Sequence, residues 1–169
     1  YPRLVMALRE GAGPFAVPIP PVAVTEPPVV RIIPGRQWEA FGDEARALLV
    51  GAEFRISAQS DRMGYRIEGP KLALREALEM ISEAVTFGTI QVPPDGSPII
   101  LMADRQTTGG YPKIAEVASV DLPLLAQMLP QQALRFALIS LEHAQQLYIA
   151  REQEIRRIRR LLDELKRGQ

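Results

Sequence analysis

The sequence predicts a mainly β protein, in which a barrel of short strands with small helices is followed by one long C-terminal α-helix. Three observations predict this class. Short apolar runs alternate with turn residues at regular intervals through residues 29–140, as in barrels. Apolar residues recur seven apart from residue 141 onward, which favours a long helix. Eight of the 15 prolines lie among the first 34 residues, so residues 1–28 are expected to form an extended connector.

The composition limits the classes of function. The chain has 169 residues, with 20 Lys and Arg against 20 Asp and Glu, one His and no Cys. The length suggests one domain, and a net charge of zero provides no field that would attract nucleic acid or an anionic membrane. Without Cys there is no disulfide or thiolate zinc site, and one His cannot build a transition-metal site. We therefore expect a cytoplasmic protein with no metal site and no nucleic-acid or membrane partner.

The first predicted elements are a strand and a helix. Residues 29–33, VVRII, are mostly β-branched and end at Pro34-Gly35, which predicts a strand followed by a turn. Apolar residues three and four apart predict a short amphipathic helix over residues 38–49. Residues 70–76 are interpreted as a turn of helix over one end of the barrel.

The remaining strands are predicted from alternation of apolar and polar residues and from the turns between them. The predicted strands are residues 53–57, 65–68, 89–92, 98–102, 114–120 and 133–139. The sequence Pro93-Pro94-Asp95-Gly96 predicts a hairpin turn between the third and fourth of these. Asp121 is expected to cap a helix over residues 122–128.

Residues 140–167 are predicted to form one helix. Two sets of residues seven apart describe almost a heptad seam: Leu141, Tyr148, Ile155 and Leu162, with Ala144, Arg151, Ile158 and Leu165. Arg151 breaks the seam once. Two roles stay open: packing on the barrel, favoured for the first half, and contact with another chain, which would make the protein a homo-oligomer, for the second.

Two polar segments lie near the predicted hairpin turn at residues 93–96: the first precedes it and the second ends in it. In residues 60–66, SDRMGYR, Asp61 and Arg62 either form a pair that closes a turn or place a guanidinium for a substrate carboxylate or phosphate. In the second segment, residues 82–96, Glu83 is either a general base, a partner for an amide substrate or a cap for a turn.

A third polar segment covers residues 103–113, ADRQTTGGYPK. It repeats the Asp-Arg pair as Asp104-Arg105. Its Gly109-Gly110 permits positive φ and could expose backbone N–H groups as a nest for an anion, although the spacing is not that of a P-loop. The residues alone therefore indicate a β-barrel domain with a polar face.

These three segments resemble the family formed by the C component of 5-oxoprolinase, also described as allophanate hydrolase subunit 2 or the biotin-dependent carboxyltransferase family, which includes the Kip antagonist protein. The matching text is SDRMGYRIEG (60–69), ISEAVTFGTIQVPPDGSPIILMADRQTTGGYPKIA (81–115) and SVDLPLLAQ (119–127). The resemblance implies a cyclophilin-like β-barrel. Members usually contain two such barrels, so it also implies that this chain is the C-terminal barrel and that residues 1–28 are the remnant of the connection.

The resemblance also implies partners and a reaction. With a cyclophilin-like B component, an A component and the N-terminal half of its own protein, the chain would help to hydrolyse 5-oxoproline to glutamate. ATP would be used by the complex, and this chain alone, expected to be inactive, would bind no cofactor. Fused relatives transfer a carboxyl group from carboxybiotin to urea. A third alternative is a regulatory partner of a kinase-inhibitor-like B component, without chemistry of its own.

Site residues are assigned from the motifs that carry the resemblance. The expected catalytic residues are Asp61, Arg62, Glu83, Asp104 and Arg105. The expected substrate-binding residues are Gln91, Gln106, Thr107, Thr108, Gly109, Gly110 and Tyr111. In each chemistry a small amide is held while charge develops on its oxygen or nitrogen, so the arginines and the 107–110 backbone would stabilise that charge. The carboxylates would orient the amide or move a proton.

Overall fold

The computed structural model describes residues 27–167. The expected connector, residues 1–28, lies outside the described residues except for Pro27 and Pro28. The described strands are β1 (Val29–Pro34), β2 (Glu53–Ile56), β3 (Gly64–Glu68), β4 (Glu83–Ala84), β5 (Thr89–Gln91), β6 (Ile99–Leu101), β7 (Thr108–Gly109), β8 (Lys113–Val117) and β9 (Ala133–Leu138).

Seven of these strands close into a barrel in the order β1-β8-β5-β6-β3-β2-β9. The pairs are antiparallel except for β1 and β9, which run parallel with Val30 opposite Phe136. The other two strands, β4 and β7, form a separate two-stranded sheet, here called the ribbon. The predicted barrel, its hairpin β5–β6 and the long final helix are therefore confirmed.

Alternation along the strands fills the barrel. In β2, for example, Phe54 and Ile56 are buried while the residues between and before them are exposed. The rings of Phe54 and Phe136 lie 5.5 Å apart between centroids in a tilted arrangement. The fully buried large side chains on barrel strands are Ile32, Phe54, Ile56, Ile67, Ile90, Ile100, Ile114 and Leu134.

The helix predicted over residues 38–49 is divided into two. A 3-10 turn covers Trp38–Ala40 and helix α1 covers Asp43–Gly51. The chain is extended between them at Phe41, which makes an isolated bridge to Leu74. Helix α1 buries Ala45 and Leu49.

The turn of helix predicted over residues 70–76 was wrong. The backbone N–H of Leu72 donates to Gly96 O (2.9 Å) and that of Arg75 donates to Ala40 O (2.9 Å). Amides that bond to distant carbonyls cannot form a helical ladder, so the segment crosses the barrel in an extended form.

Asp121 does not cap its helix through its side chain, contrary to the prediction. Its buried carboxylate instead accepts the backbone N–H of Arg31 (2.8 Å), Arg31 Nε (2.8 Å) and Arg31 Nη2. Helix α2 is correspondingly short, Leu122–Leu125, against the expected 122–128. Asp121 thus joins the loop after β8 to strand β1.

Helix α3, Leu141–Arg167, begins after Ser140, whose Oγ accepts the N–H of His143 (3.1 Å). No side chain described in α3 is fully buried, but Ala144, Leu147 and Arg151 in its first half, where packing on the barrel was expected, are half-buried. Arg151 Nη1 donates to Ser119 O (3.2 Å) and ties the helix to the barrel. Among the described residues no helix combines the length and apolarity that crossing a bilayer requires.

Candidate functional site

The ribbon covers one polar side of the barrel. In β5, Ile90 points into the barrel core, so Thr89 and Gln91 point outward. They are nevertheless buried, because the ribbon and the loops that continue it lie over them. The ribbon pairs Glu83 with Gly109 and Ala84 with Thr108, and Val85 N donates to Thr107 O (3.0 Å).

An ion pair fastens the ribbon to the barrel. Lys113 on β8 is 3% exposed, and its Nζ lies 3.1 Å from Glu83 Oε2 on β4. Gln37 Nε2 lies 3.5 Å from Glu83 Oε2, and Gln37 Oε1 accepts the N–H of Lys113 (3.0 Å). The hydrogen bond from Lys113 lowers the pKa of Glu83, and Arg36 acts in the same direction. A lowered pKa makes Glu83 a weaker proton acceptor. Its ion pair with Lys113 holds strand β4 of the ribbon against the barrel.

Gln91 carries the unsatisfied group of the site. Its side chain is 5% exposed, and its Nε2 amide is buried with no hydrogen-bond partner in the described part of the chain. Gly109 lies directly over this amide, since a Cβ at Gly109 would be 2.2 Å from Gln91 Nε2. A buried amide without a partner costs free energy, so it is a natural donor for a ligand oxygen.

A cavity of about 550 Å³ adjoins this amide. It is lined by Gln59, Asp61, Met63, Gly64, Arg66, Gln91, Ile99, Leu101, Arg105, Gln106, Thr108, Gly109, Gly110 and Tyr111. The structure thus brings eight of the twelve expected site residues together. Arg66 was missed, although it shares a face of β3 with Gly64 by simple two-residue alternation within the polar segment 60–66.

The other four expected residues lie outside the lining: Arg62, Glu83, Asp104 and Thr107. The side chain of Arg62 is 89% exposed, and its Nε lies 3.2 Å from Asp104 Oδ2. Asp61 does not pair with Arg62 as one alternative expected. Its Oδ1 accepts the N–H groups of Met63 (2.8 Å) and Gly64 (3.1 Å), which closes the turn before β3.

The expected anion nest at Gly109-Gly110 does not form. Among the described glycines, positive φ occurs at Gly88 and Gly96, not at this pair. Gly109 is part of β7, where its backbone pairs with Glu83 in the ribbon. The described residues also contain no group of three or more His, Cys, Asp or Glu that could hold a metal ion.

Glu116 is a half-buried acid that the sequence did not single out. It lies opposite Thr89 in the β5–β8 register. The hydroxyls of Thr86 (3.0 Å) and Thr89 (2.9 Å) donate to its carboxylate. Burial raises the pKa of Glu116, and the two hydroxyls only partly oppose that effect.

The chain belongs to a known class of domain. The family model described as "Carboxyltransferase domain, subdomain A and B" matches residues 7–138. The chain is therefore a member of the carboxyltransferase domain family.

Within that family, curated relatives carry a more particular name, that of the C component of 5-oxoprolinase. The protein of this name from Haemophilus influenzae is 46% identical over 80% of this chain and 44% of the relative. That of Escherichia coli is 39% identical over 68% of this chain and 37% of the relative. The chain thus spans less than half the length of these two relatives.

A solved structure supports the fold. The urea amidolyase of K. lactis superposes with a TM-score of 0.70 over 75% of this chain and 8% of the larger protein. The identity is 22%, so this likeness shows a shared barrel architecture.

Proposed function

We propose that this chain supplies the C-terminal barrel of the C component in an ATP-dependent 5-oxoprolinase, which opens the lactam of 5-oxoproline to give glutamate. The two curated relatives support this proposal through the name they share. The observation that carries it is the buried, unpartnered Nε2 amide of Gln91 beside a cavity that also contains Arg66 and Arg105. That donor set suits a small substrate with one amide oxygen and one carboxylate.

Arg105 and Gln91 would act on the lactam carbonyl. When the carbonyl carbon is attacked, negative charge develops on its oxygen, and fixed donors stabilise that charge most effectively. The backbone oxygens of Val85 and Ala103 lie 3.4 Å from Arg105 Nε and Nη1 and orient the guanidinium. Arg66 at the cavity would bind the substrate carboxylate, for which a guanidinium is well shaped.

The carboxylates take different roles. Asp61 lines the cavity and is held by two backbone N–H groups, so it is suited to accept the lactam N–H and orient the ring. Glu83, whose pKa is lowered by Lys113, holds the ribbon in place and does not move a proton. Asp104 and Arg62 form a rim pair next to the loop that carries Arg105.

ATP is assigned to the partner proteins. Among the described residues, the Gly109-Gly110 pair forms no nest for a phosphate and Lys113 is paired with Glu83. ATP would supply the driving force for opening a stable lactam. The partners proposed are the A component, a cyclophilin-like B component and the remainder of the C component, because the chain spans less than half of its relatives.

A chimera tests the proposal. This chain would replace the matching part of the Haemophilus influenzae C component, and the chimera would be mixed with that organism's other 5-oxoprolinase components. We expect ATP-dependent glutamate release from 5-oxoproline, and its loss when the chimera is omitted. A chimera that binds its partners without glutamate release would support the regulatory alternative. Carboxylation of urea by a biotin-loaded partner would support carboxyl transfer, which the family description favours as second candidate.

A further inference from the structure

Helix α3 presents an apolar stripe to solvent. Leu141, Tyr148, Ile155 and Leu162 occupy one heptad position and are 52%, 45%, 36% and 47% exposed. The residues matched by the family model end at 138, so the helix lies outside that match. A helix with such a stripe gains stability when a complementary apolar surface covers it.

We propose that a second copy of this chain covers the stripe, and that the two α3 helices pair antiparallel about a two-fold axis. The helix has 27 residues and is about 40 Å long. In the register argued below, residues 146–167 of the two copies overlap over about three heptads, so Tyr148, Ile155 and Leu162 are covered and Leu141 lies beyond the overlap. An isologous pair of this kind uses the same surface on both copies and closes without further growth.

Arg151 favours an antiparallel over a parallel orientation of the two α3 helices. It occupies the seam between Tyr148 and Ile155. In a parallel pair Arg151 would face the same arginine of the partner, and two like charges within a seam repel. In an antiparallel pair with Ile155 against the partner's Ile158, Arg151 lies opposite the partner's Leu162. The guanidinium of Arg151 donates to Ser119 O on its own barrel. The aliphatic part of the Arg151 side chain is then available to pack against the partner's Leu162.

The flanking charges select the same register. With Ile155 against the partner's Ile158, Glu152 lies opposite the partner's Arg159, and the two-fold axis repeats that pair. A shift of one heptad one way would bring Glu152 against Glu152, and the other way Arg159 against Arg159. Among the described residues Arg159 makes no ion pair, and Glu152 has a contact of 3.7 Å with Arg151 of its own helix. Glu154, the acid that a parallel pair would offer Arg159, is bound more closely, by Arg157 at 2.7 Å.

The first test is the mass of the intact 169-residue chain in sedimentation equilibrium over a wide range of concentrations. We expect reversible association to twice 18.7 kDa. The double variant Ile155→Glu/Ile158→Glu should weaken association by at least about 10-fold, since charges would be buried in the seam. Ile149→Glu is the matched control, because Ile149 is exposed on the same helix away from the seam. A monomer at every concentration, or equal disruption by the control, would overturn the proposal.

The second test addresses direction and register. Glu152→Arg and Arg159→Glu should each weaken the dimer, and the double variant Glu152→Arg/Arg159→Glu should restore it. Circular dichroism would verify that each variant keeps its helix. Restoration by Glu154→Arg/Arg159→Glu instead would mean a parallel pair and would overturn the antiparallel arrangement.

Discussion

Lys113 Nζ lies 3.1 Å from Glu83 Oε2 and also within 3.5 Å of two backbone oxygens, those of Gly109 and Tyr111. The lysine therefore connects barrel strand β8 to both strands of the ribbon. Because Gly109 and Tyr111 line the cavity, this buried ammonium group determines where the wall of the candidate site stands.

Replacing Lys113 by Met should loosen the ribbon. The Glu83 carboxylate would lose its most buried partner, and we expect Tm to fall by about 5 °C. The amide of Val85, which bonds Thr107 O, should exchange with solvent much faster, as measured by hydrogen exchange. Arg36→Met is the control, since Arg36 contacts the same carboxylate from an exposed position and should change little. Unchanged exchange at Val85 in Lys113→Met would contradict this role.

Adjacent glycines should respond differently to alanine. A Cβ at Gly109 would lie 2.2 Å from Gln91 Nε2, so Gly109→Ala should displace the ribbon or Gln91 and cost about 1–3 kcal/mol. At Gly110 the nearest atom is Ser82 Oγ at 3.6 Å, an ordinary contact, so Gly110→Ala should be close to neutral. Chemical denaturation of both variants measures the difference. Equal stabilities would mean that the ribbon does not press on Gln91.

Glu116 should make stability depend on pH. Burial raises the pKa of Glu116 above its ordinary value of 4.5, so the folded protein disfavours the carboxylate. Below pH 4.5 Glu116 is protonated in both the folded and the unfolded state, so it does not reduce the free energy of unfolding. As the pH rises through the folded pKa, the half-buried carboxylate becomes charged and the free energy of unfolding falls. Glu116→Gln should raise Tm at about pH 7 and lose that advantage near about pH 4. Glu68→Gln, on the exposed face of β3, is the control; a Tm gain in Glu116→Gln that persists in acid would argue against titration.

Substitution of Arg105 and substitution of Arg62 should have different effects on activity. Arg105 lines the cavity, and Arg105→Ala in the chimera should lower kcat/KM by roughly 100-fold, the effect of removing one donor to a developing oxyanion. Arg62 is outside the lining and highly exposed, so Arg62→Ala should have a far smaller effect. Steady-state glutamate release measures both. Similar losses in the two variants would place the reaction nearer the rim than we propose.

The barrel could be predicted because its strands are determined by local sequence patterns. Alternation in β2 and β3, and the turn residues between β5 and β6, are properties of a few neighbouring residues. The ribbon was missed because each of its strands is two residues long and exists only through pairing across the chain. Asp121 was misassigned for the same reason, since its partner Arg31 is 90 residues away and outcompetes the local cap.

The candidate site was predicted in its composition and not in its geometry. The motifs pointed to eight residues that line the cavity, but a sequence does not state that Arg62 turns outward to Asp104. Lys113 was not singled out within the polar segment 103–113. Only the ribbon, which buries it, gives it a role.

The parallel contact between β1 and β9 has a consequence for biosynthesis. The last barrel strand, β9, lies between β1 and β2, so the barrel stays open between these two strands until residue 138 has left the ribosome. Until then β1 and β2 each expose unpaired backbone groups that other nascent chains could bind. The barrel therefore closes only when β9, the strand just before α3, has been synthesised. Pairing of β9 with β1 and β2 removes the free strand edges through which a newly made chain would aggregate.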